Sequence, residues 1–161
     1  FNENRKFHTL EFVDLTNAVE AVKISKDLKG LKWITKKYSK NPKNEVDGII
    51  EAIEILKKDK TKYALITNYL FISPILNRYD FSPNQWHHPG VSFPLKGSKY
   101  FSNYKDFFAN HFAQNKISTA YIVGEESLEI LDLVYDENCF KKEKIGFFIY
   151  KFKMKDNCKI K

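Results

Sequence analysis

The sequence predicts an α/β fold: residues 1–161 as a single three-layer domain with a mainly parallel sheet of about five strands flanked by helices. It is Rossmann-like in outline but has no nucleotide-binding motif. Three observations lead there. Tyr63–Thr67 (YALIT) and Ser118–Val123 (STAYIV) are short apolar runs of the kind that forms strands buried on both faces, and they are expected to be adjacent and central. Segments with helical spacing stand between the apolar runs, and such alternation implies a parallel sheet covered by helices. The connection from the helix ending near Asp59 to the strand beginning near Lys62 is short, as α/β units require.

Phe7–Val13 (FHTLEFV) alternates imperfectly and is expected to be a strand. Asp14–Lys26 fits either a helical face or a short strand through Ala18, Val19, Ala21, Val22 and Ile24. Leu31–Thr35, after Gly30, reads as a strand. The clearest helix starts at Asn41-Pro42, where Asn41 can cap and Pro42 suits the first helical position. Val46, Ile49, Ile50, Ile53 and Leu56 form its buried face. Glu45 and Asp47 near its start and Lys57-Lys58 at its end suit the helix dipole.

After Tyr63–Thr67 the chain breaks at Asn68-Tyr69. A second apolar run, Leu70–Leu76, holds Pro74 and is too short for a long helix. Asn77–Pro94 is irregular, with Pro83, Pro89, Gly90 and Pro94, yet rich in rings: Tyr79, Phe81, Trp86, His87, His88 and Phe93. An irregular segment this long is either functional or disordered, and a disordered one is poor in aromatics. An ordered loop follows. Ser98 is placed to cap a second helix reaching Asn115, whose Tyr100, Phe101, Tyr104, Phe107, Phe108, His111 and Phe112 make an aromatic stripe best read as core packing. Ile117–Val123 is the next strand, and Gly124-Glu125-Glu126 leads into a short helix with Leu128, Leu131 and Val134. Ile145–Met154 is the last strand, placed at or near an edge because its second half alternates.

In an open parallel sheet, ligands bind beyond the carboxyl ends of the strands. The candidate site is therefore the strand exit Asn68-Tyr69 together with Asp80, Trp86, His87 and His88 of the loop. Flat rings offer apolar faces to sugar C–H groups, and Asn, Asp and His supply polar contacts. The same loop would otherwise be a cap over the sheet, with Trp86 buried. Neighbouring histidines on an extended chain point opposite ways, so His87-His88 is not expected to hold a metal. No G-x-G-x-x-G, P-loop, G-x-S-x-G or H-E-x-x-H is present, and no cofactor is expected. Glu125 and Glu126 would repel a phosphate from the turn at Gly124.

The net charge of +7 is spread along the chain among acidic residues, so nucleic acid is not an expected partner. No apolar stretch is long enough for a membrane span. The chain begins at Phe1, as expected of a processed protein or a piece of a longer one. Cys139 and Cys158 are either both free or paired. Pairing would close a loop of about 20 residues and contribute roughly 3 kcal/mol.

RKFHTLEFVD (Arg5–Asp14), LKGLKWITKKYSKNPKNEVDGIIEAIEILKKD (Leu28–Asp59) and KYALITNYLFISPILNRYDFSPNQW (Lys62–Trp86), with the Cys139…Cys158 ending, resemble the C-terminal soluble region of bacterial integral-membrane glycosyltransferase-like proteins of the dolichyl-phosphate-mannose mannosyltransferase type. The resemblance implies a non-catalytic domain on the periplasmic face of the inner membrane. Its partners would be the membrane portion of the parent chain and a glycan or polyprenyl-linked sugar acceptor. It assigns no catalytic residue here, because that family's catalytic carboxylates lie between membrane spans. It also implies an oxidising compartment, in which Cys139 and Cys158 are expected to pair. Two other readings stand beside it: a free-standing small α/β enzyme using Asp80, His87 or His88 as acid or base, and a protein–protein interaction module.

Overall fold

The computed structural model describes residues 10–87, 89–125 and 128–158. The chain forms two compact units, Phe1–Glu54 and Ile55–Lys161.

The first unit is built from short turns. The stretch Asp14–Lys26, open to helix or short strand, holds the 3-10 turns Leu15–Asn17 and Ala21–Lys23 with a two-residue strand between them, and a third turn, Lys26–Leu28, follows. Asp14 and Ser25 each accept a backbone N–H two residues on, the local bonding by which Asp and Ser favour turns over regular structure. Two two-residue strands, β1 (Val19–Glu20) and β2 (Lys32–Trp33), pair antiparallel. Of the strand expected over Phe7–Val13, residues 7–9 lie outside the described residues and Leu10–Val13 is not a strand. Leu10–Val13 is a turn closed by Val13 N–H on Leu10 C=O at 3.0 Å, so the chain bends back there instead of extending. Helix α1 (Pro42–Lys58) has the expected bounds and buries Val46, Ile49, Ile53 and Leu56. Glu45 is buried in its first turn, where its Oε2 accepts from Trp33 Nε1 at 2.9 Å and Thr35 Oγ1 at 2.8 Å. A buried carboxylate needs such donors to offset lost hydration.

The second unit holds a four-stranded sheet in the order β3-β4-β6-β5. These are β3 (Ala64–Thr67), β4 (Thr119–Val123), β5 (Phe140–Lys144) and β6 (Ile149–Met154). The fold is α/β as expected, and β3 and β4 are parallel neighbours with Leu65 and Ile122 buried. The expectation of a mainly parallel sheet of about five strands is corrected: β4–β6 and β6–β5 are both antiparallel. The cause is β5, whose sequence FKKEK carries no apolar alternation. It forms a hairpin with β6 and so reverses the last strand. β6 is accordingly interior and β5 lies at the edge. β3, expected to be central, ends the sheet among the described residues.

Helices α2 (Ile72–Leu76), α3 (Phe101–Gln114) and α4 (Ile130–Val134) complete the unit. Phe108 and Phe112 of α3 and Ile130, Leu131 and Val134 of α4 share one core with Ala64, Ile66, Ala120, Ile122 and Phe152 of the sheet. The aromatic stripe is thus core on its Phe101, Phe108 and Phe112 side, while Tyr100 and Phe107 are exposed. Ser98 does not cap α3 with its side chain; a backbone turn, Phe101 N–H to Ser98 C=O at 3.1 Å, leads in instead. The opposite sheet face buries Tyr63, Leu65, Tyr121 and Ile149. At its margin the Asp59 carboxylate accepts from Thr61, from Tyr121 Oη at 2.5 Å and from Lys151 Nζ at 3.4 Å. Burial alone would raise the Asp59 pKa; the bonds from Thr61 and Tyr121 outweigh it and hold the group well below the usual carboxylate range.

Cys139 and Cys158 form a disulfide with Cα atoms 4.5 Å apart. It joins the start of β5 to the segment following β6, so it clamps the open end of the hairpin. Among the described residues no helix is long and apolar enough to cross a membrane.

Candidate functional site

The loop after β3 is an ordered structure laid along the free edge of that strand. Leu65 N–H, facing away from β4, donates to Asp80 C=O at 2.7 Å. Thr67 closes the strand by donating to Val123 C=O at 2.9 Å and accepting from Tyr69 N–H at 3.0 Å. Helix α2 stops at Asn77, whose φ of 49° is a left-handed conformation that Asn tolerates. Phe81 also has a positive φ, 47°, which is costly for a bulky residue and persists only when its surroundings fix it. They do. Its ring meets Tyr79 edge-on at 4.7 Å and lies 4.3 Å from Lys62 Nζ, while its carbonyl is 3.1 Å from His111 Nε2.

His87, not Trp86, is the residue the loop buries. His87 is 1% exposed and Trp86 56%. The backbone N–H of His87 donates to Asn68 Oδ1 at 3.1 Å, and its Nε2 lies 3.0 Å from Ser82 Oγ. Ser82 Oγ gives its own proton to Asn84 C=O at 2.8 Å, so it accepts from an Nε2–H imidazole. Nδ1 has no hydrogen-bond partner among the described residues. Burial pushes the His87 pKa down to about 4, so the ring is neutral at pH 7.

Asp80 connects this cluster to an open cleft of about 490 Å³ between α2 and the loop. Its Oδ1 accepts from Ser82 N–H and its Oδ2 from Ser73 Oγ, both at 3.1 Å. Asn77, Arg78, Tyr79, Asn84 and Gln85 also line the cleft. Arg78 is held by the carbonyls of Asp59 at 2.5 Å and Thr61 at 2.8 Å, and its guanidinium lies over the Tyr63 ring. The Tyr79 ring is 70% exposed.

The six residues expected at the site therefore separate by role. Asp80 lines the cleft. Asn68 and His87 tie the loop to the strand exit. Tyr69 packs its ring against Phe148, with centroids 5.8 Å apart, and Phe71. Trp86 is exposed, contrary to the expectation that a capping loop would bury it. His88 lies outside the described residues. Asn77 and Gln85 carry no sequence signal that marks them as lining residues; only their place beside Tyr79 and Asp80 does. No group of metal-ligating side chains is present among the described residues. Comparison with family models, with curated proteins and with solved structures finds no match for this chain.

Proposed function

We propose that this chain is a non-catalytic extracytoplasmic domain of a membrane glycosyltransferase-like protein, and that the cleft beside α2 takes a glycan or a polyprenyl-linked sugar acceptor. The observation that carries the reading is the lining of that cleft. Side-chain amides of Asn77, Asn84 and Gln85, the Asp80 carboxylate and the exposed Tyr79 ring surround one open volume. Sugars are bound by this mixture: hydroxyls pair with amides and carboxylates while a ring face covers C–H groups. A volume of about 490 Å³ falls in the range of small-molecule sites. The Cys139–Cys158 disulfide supports an oxidising compartment such as the periplasm.

An enzyme using His87 as acid or base is less well supported, since that imidazole is buried and its Nε2 is engaged by Ser82. The test is an NMR titration of the folded chain with neutral oligosaccharides. Shifts are expected at Asn77, Tyr79, Asp80 and Gln85, with millimolar affinity from one exposed ring. Tyr79→Ala should abolish them at a cost in stability of no more than about 1 kcal/mol, from its edge contact with Phe81. An unresponsive cleft across the panel sinks the reading. For the parent protein, several apolar spans encoded upstream of Phe1 are expected, and a start codon directly before Phe1 would exclude that part of the proposal.

A further inference from the structure

The segment following the cleft has a different chemistry. From Phe81 to Lys105 there is no Asp or Glu, the longest such stretch in the chain, although the chain as a whole carries 20 acidic residues. Lys96, Lys99 and Lys105 lie in it. Val91, Leu95 and Tyr100 are each more than half exposed, and so is Trp86 just before them. Single exposed apolar residues are ordinary, but a close succession of them within one segment is not.

These side chains are displayed from a folded base. Phe93 is buried and stacks on Tyr104 with ring centroids 5.6 Å apart. Asn84 Nδ2 donates to Ser92 C=O at 3.3 Å and to Tyr104 Oη at 3.0 Å. Gly90 N–H donates to Phe93 C=O at 2.8 Å, with Gly90 at φ 75°, a conformation that favours glycine. Ser98 N–H donates to Leu95 C=O at 3.0 Å. Val91 and Leu95 thus flank the anchored Phe93 on a short, internally bonded excursion, and Lys99 lies beside the Tyr100 ring, 5.5 Å from its centroid.

We infer that Trp86 and residues 89–100 form a docking surface for an anionic lipid membrane, with Val91, Leu95 and the Trp86 and Tyr100 rings entering the headgroup boundary and Lys96 and Lys99 meeting lipid phosphates. Charge decides in favour of lipid over a second copy of this chain. The exposed segment carries lysines and no carboxylate of its own, so in a symmetric pair it would meet its own like and repel it. An anionic bilayer complements it in charge, and aromatic and aliphatic side chains beside lysines are the composition of interfacial anchors. This surface and the cleft use different residues, so each proposal stands or fails alone.

The test is co-sedimentation of the full chain with vesicles of phosphatidylcholine alone and of phosphatidylcholine mixed equally with phosphatidylglycerol. Binding is expected to the mixed vesicles only. Val91→Ser with Leu95→Ser should lower partition about tenfold or more, and Lys96→Gln and Lys99→Gln roughly fivefold each. All four positions are exposed, and unchanged circular dichroism would confirm the fold. The inference is overturned by no binding to mixed vesicles, by equal binding to both kinds, or by binding that the Val91 and Leu95 substitutions leave unchanged. Concentration-dependent dimerisation without vesicle binding would assign the surface to a second copy, and so also overturn it.

Discussion

The two ends of the four-stranded sheet are protected by opposite means. β3 is apolar and wholly buried, and its free backbone edge is met by a loop through the Leu65–Asp80 hydrogen bond. β5 reads FKKEK, is exposed over its last four residues, and is guarded by charge, with Cys139–Cys158 fixing one end of its hairpin. A buried edge must find a specific partner for each backbone group, because an orphaned one is costly. An exposed edge needs only to be unattractive to other strands, and lysines achieve that. One edge therefore depends on the loop and on what holds the loop, the other on redox state.

The largest expected effect tests the β5 side. Replacing Cys139 and Cys158 by serine, or reducing the disulfide, should lower stability by about 3 kcal/mol for a loop of this length. Urea unfolding with and without reductant measures it. A loss below roughly 1 kcal/mol would mean that charge and pairing alone hold the hairpin. The next effect tests the β3 side. His87 has a folded pKa of about 4 against 6.5 when free, so the unfolded chain binds the extra proton between those values. Its contribution is present above pH 6.5 and is lost as pH falls toward 4, by up to about 3 kcal/mol. Asp59, held below the usual carboxylate range, contributes a further loss only at lower pH. Denaturation midpoints in small pH steps should show the upper window, with a lower amide protection factor at Leu65, and His87→Gln should flatten it. An unchanged slope in that variant would dissociate His87 from the edge. The smallest effect concerns the neighbouring ring. Trp86→Ala should change stability by less than about 0.5 kcal/mol, as exposed positions do, whereas a buried tryptophan would cost roughly 3–5 kcal/mol. Thermal unfolding separates the two.

What could be read from the sequence follows the same division. Helix α1 and the parallel neighbours β3 and β4 were legible because burial writes itself as periodicity or as an apolar run. β5 was not, because an edge strand with one polar face and a short length carries no such pattern; only its pairing with β6 makes it a strand. The loop's order could be inferred from its rings, yet not which ring is inside. Hydropathy favours burying Trp86. The bonds from His87 to Asn68 and Ser82 decide otherwise, and one of those partners is 19 residues away. Glu45 is similar: its position suits a helix start, but its burial rests on Trp33 and Thr35. In the candidate site, Tyr79 and Asp80 stood out by type, while Asn77 and Arg78 became lining residues only through the turn that ends α2, and Gln85 only through the fold of the loop.

The parallel pairing of β3 with β4 also has a kinetic consequence. Thr67 and Val123 meet across 56 residues of chain, whereas β5 and β6 are joined by the four-residue link Ile145–Phe148. Closing the longer span carries more loop entropy before any contact rewards it. We expect the hairpin to be formed in the folding transition state and β3 to dock after it. Leu65→Ala should then speed unfolding and barely slow folding, while Phe152→Ala slows folding; a chevron comparison with the reverse pattern would refute this order. Until β3 docks, Ala64–Thr67 is an unpaired apolar strand, and the nascent chain is most prone to aggregate during that interval.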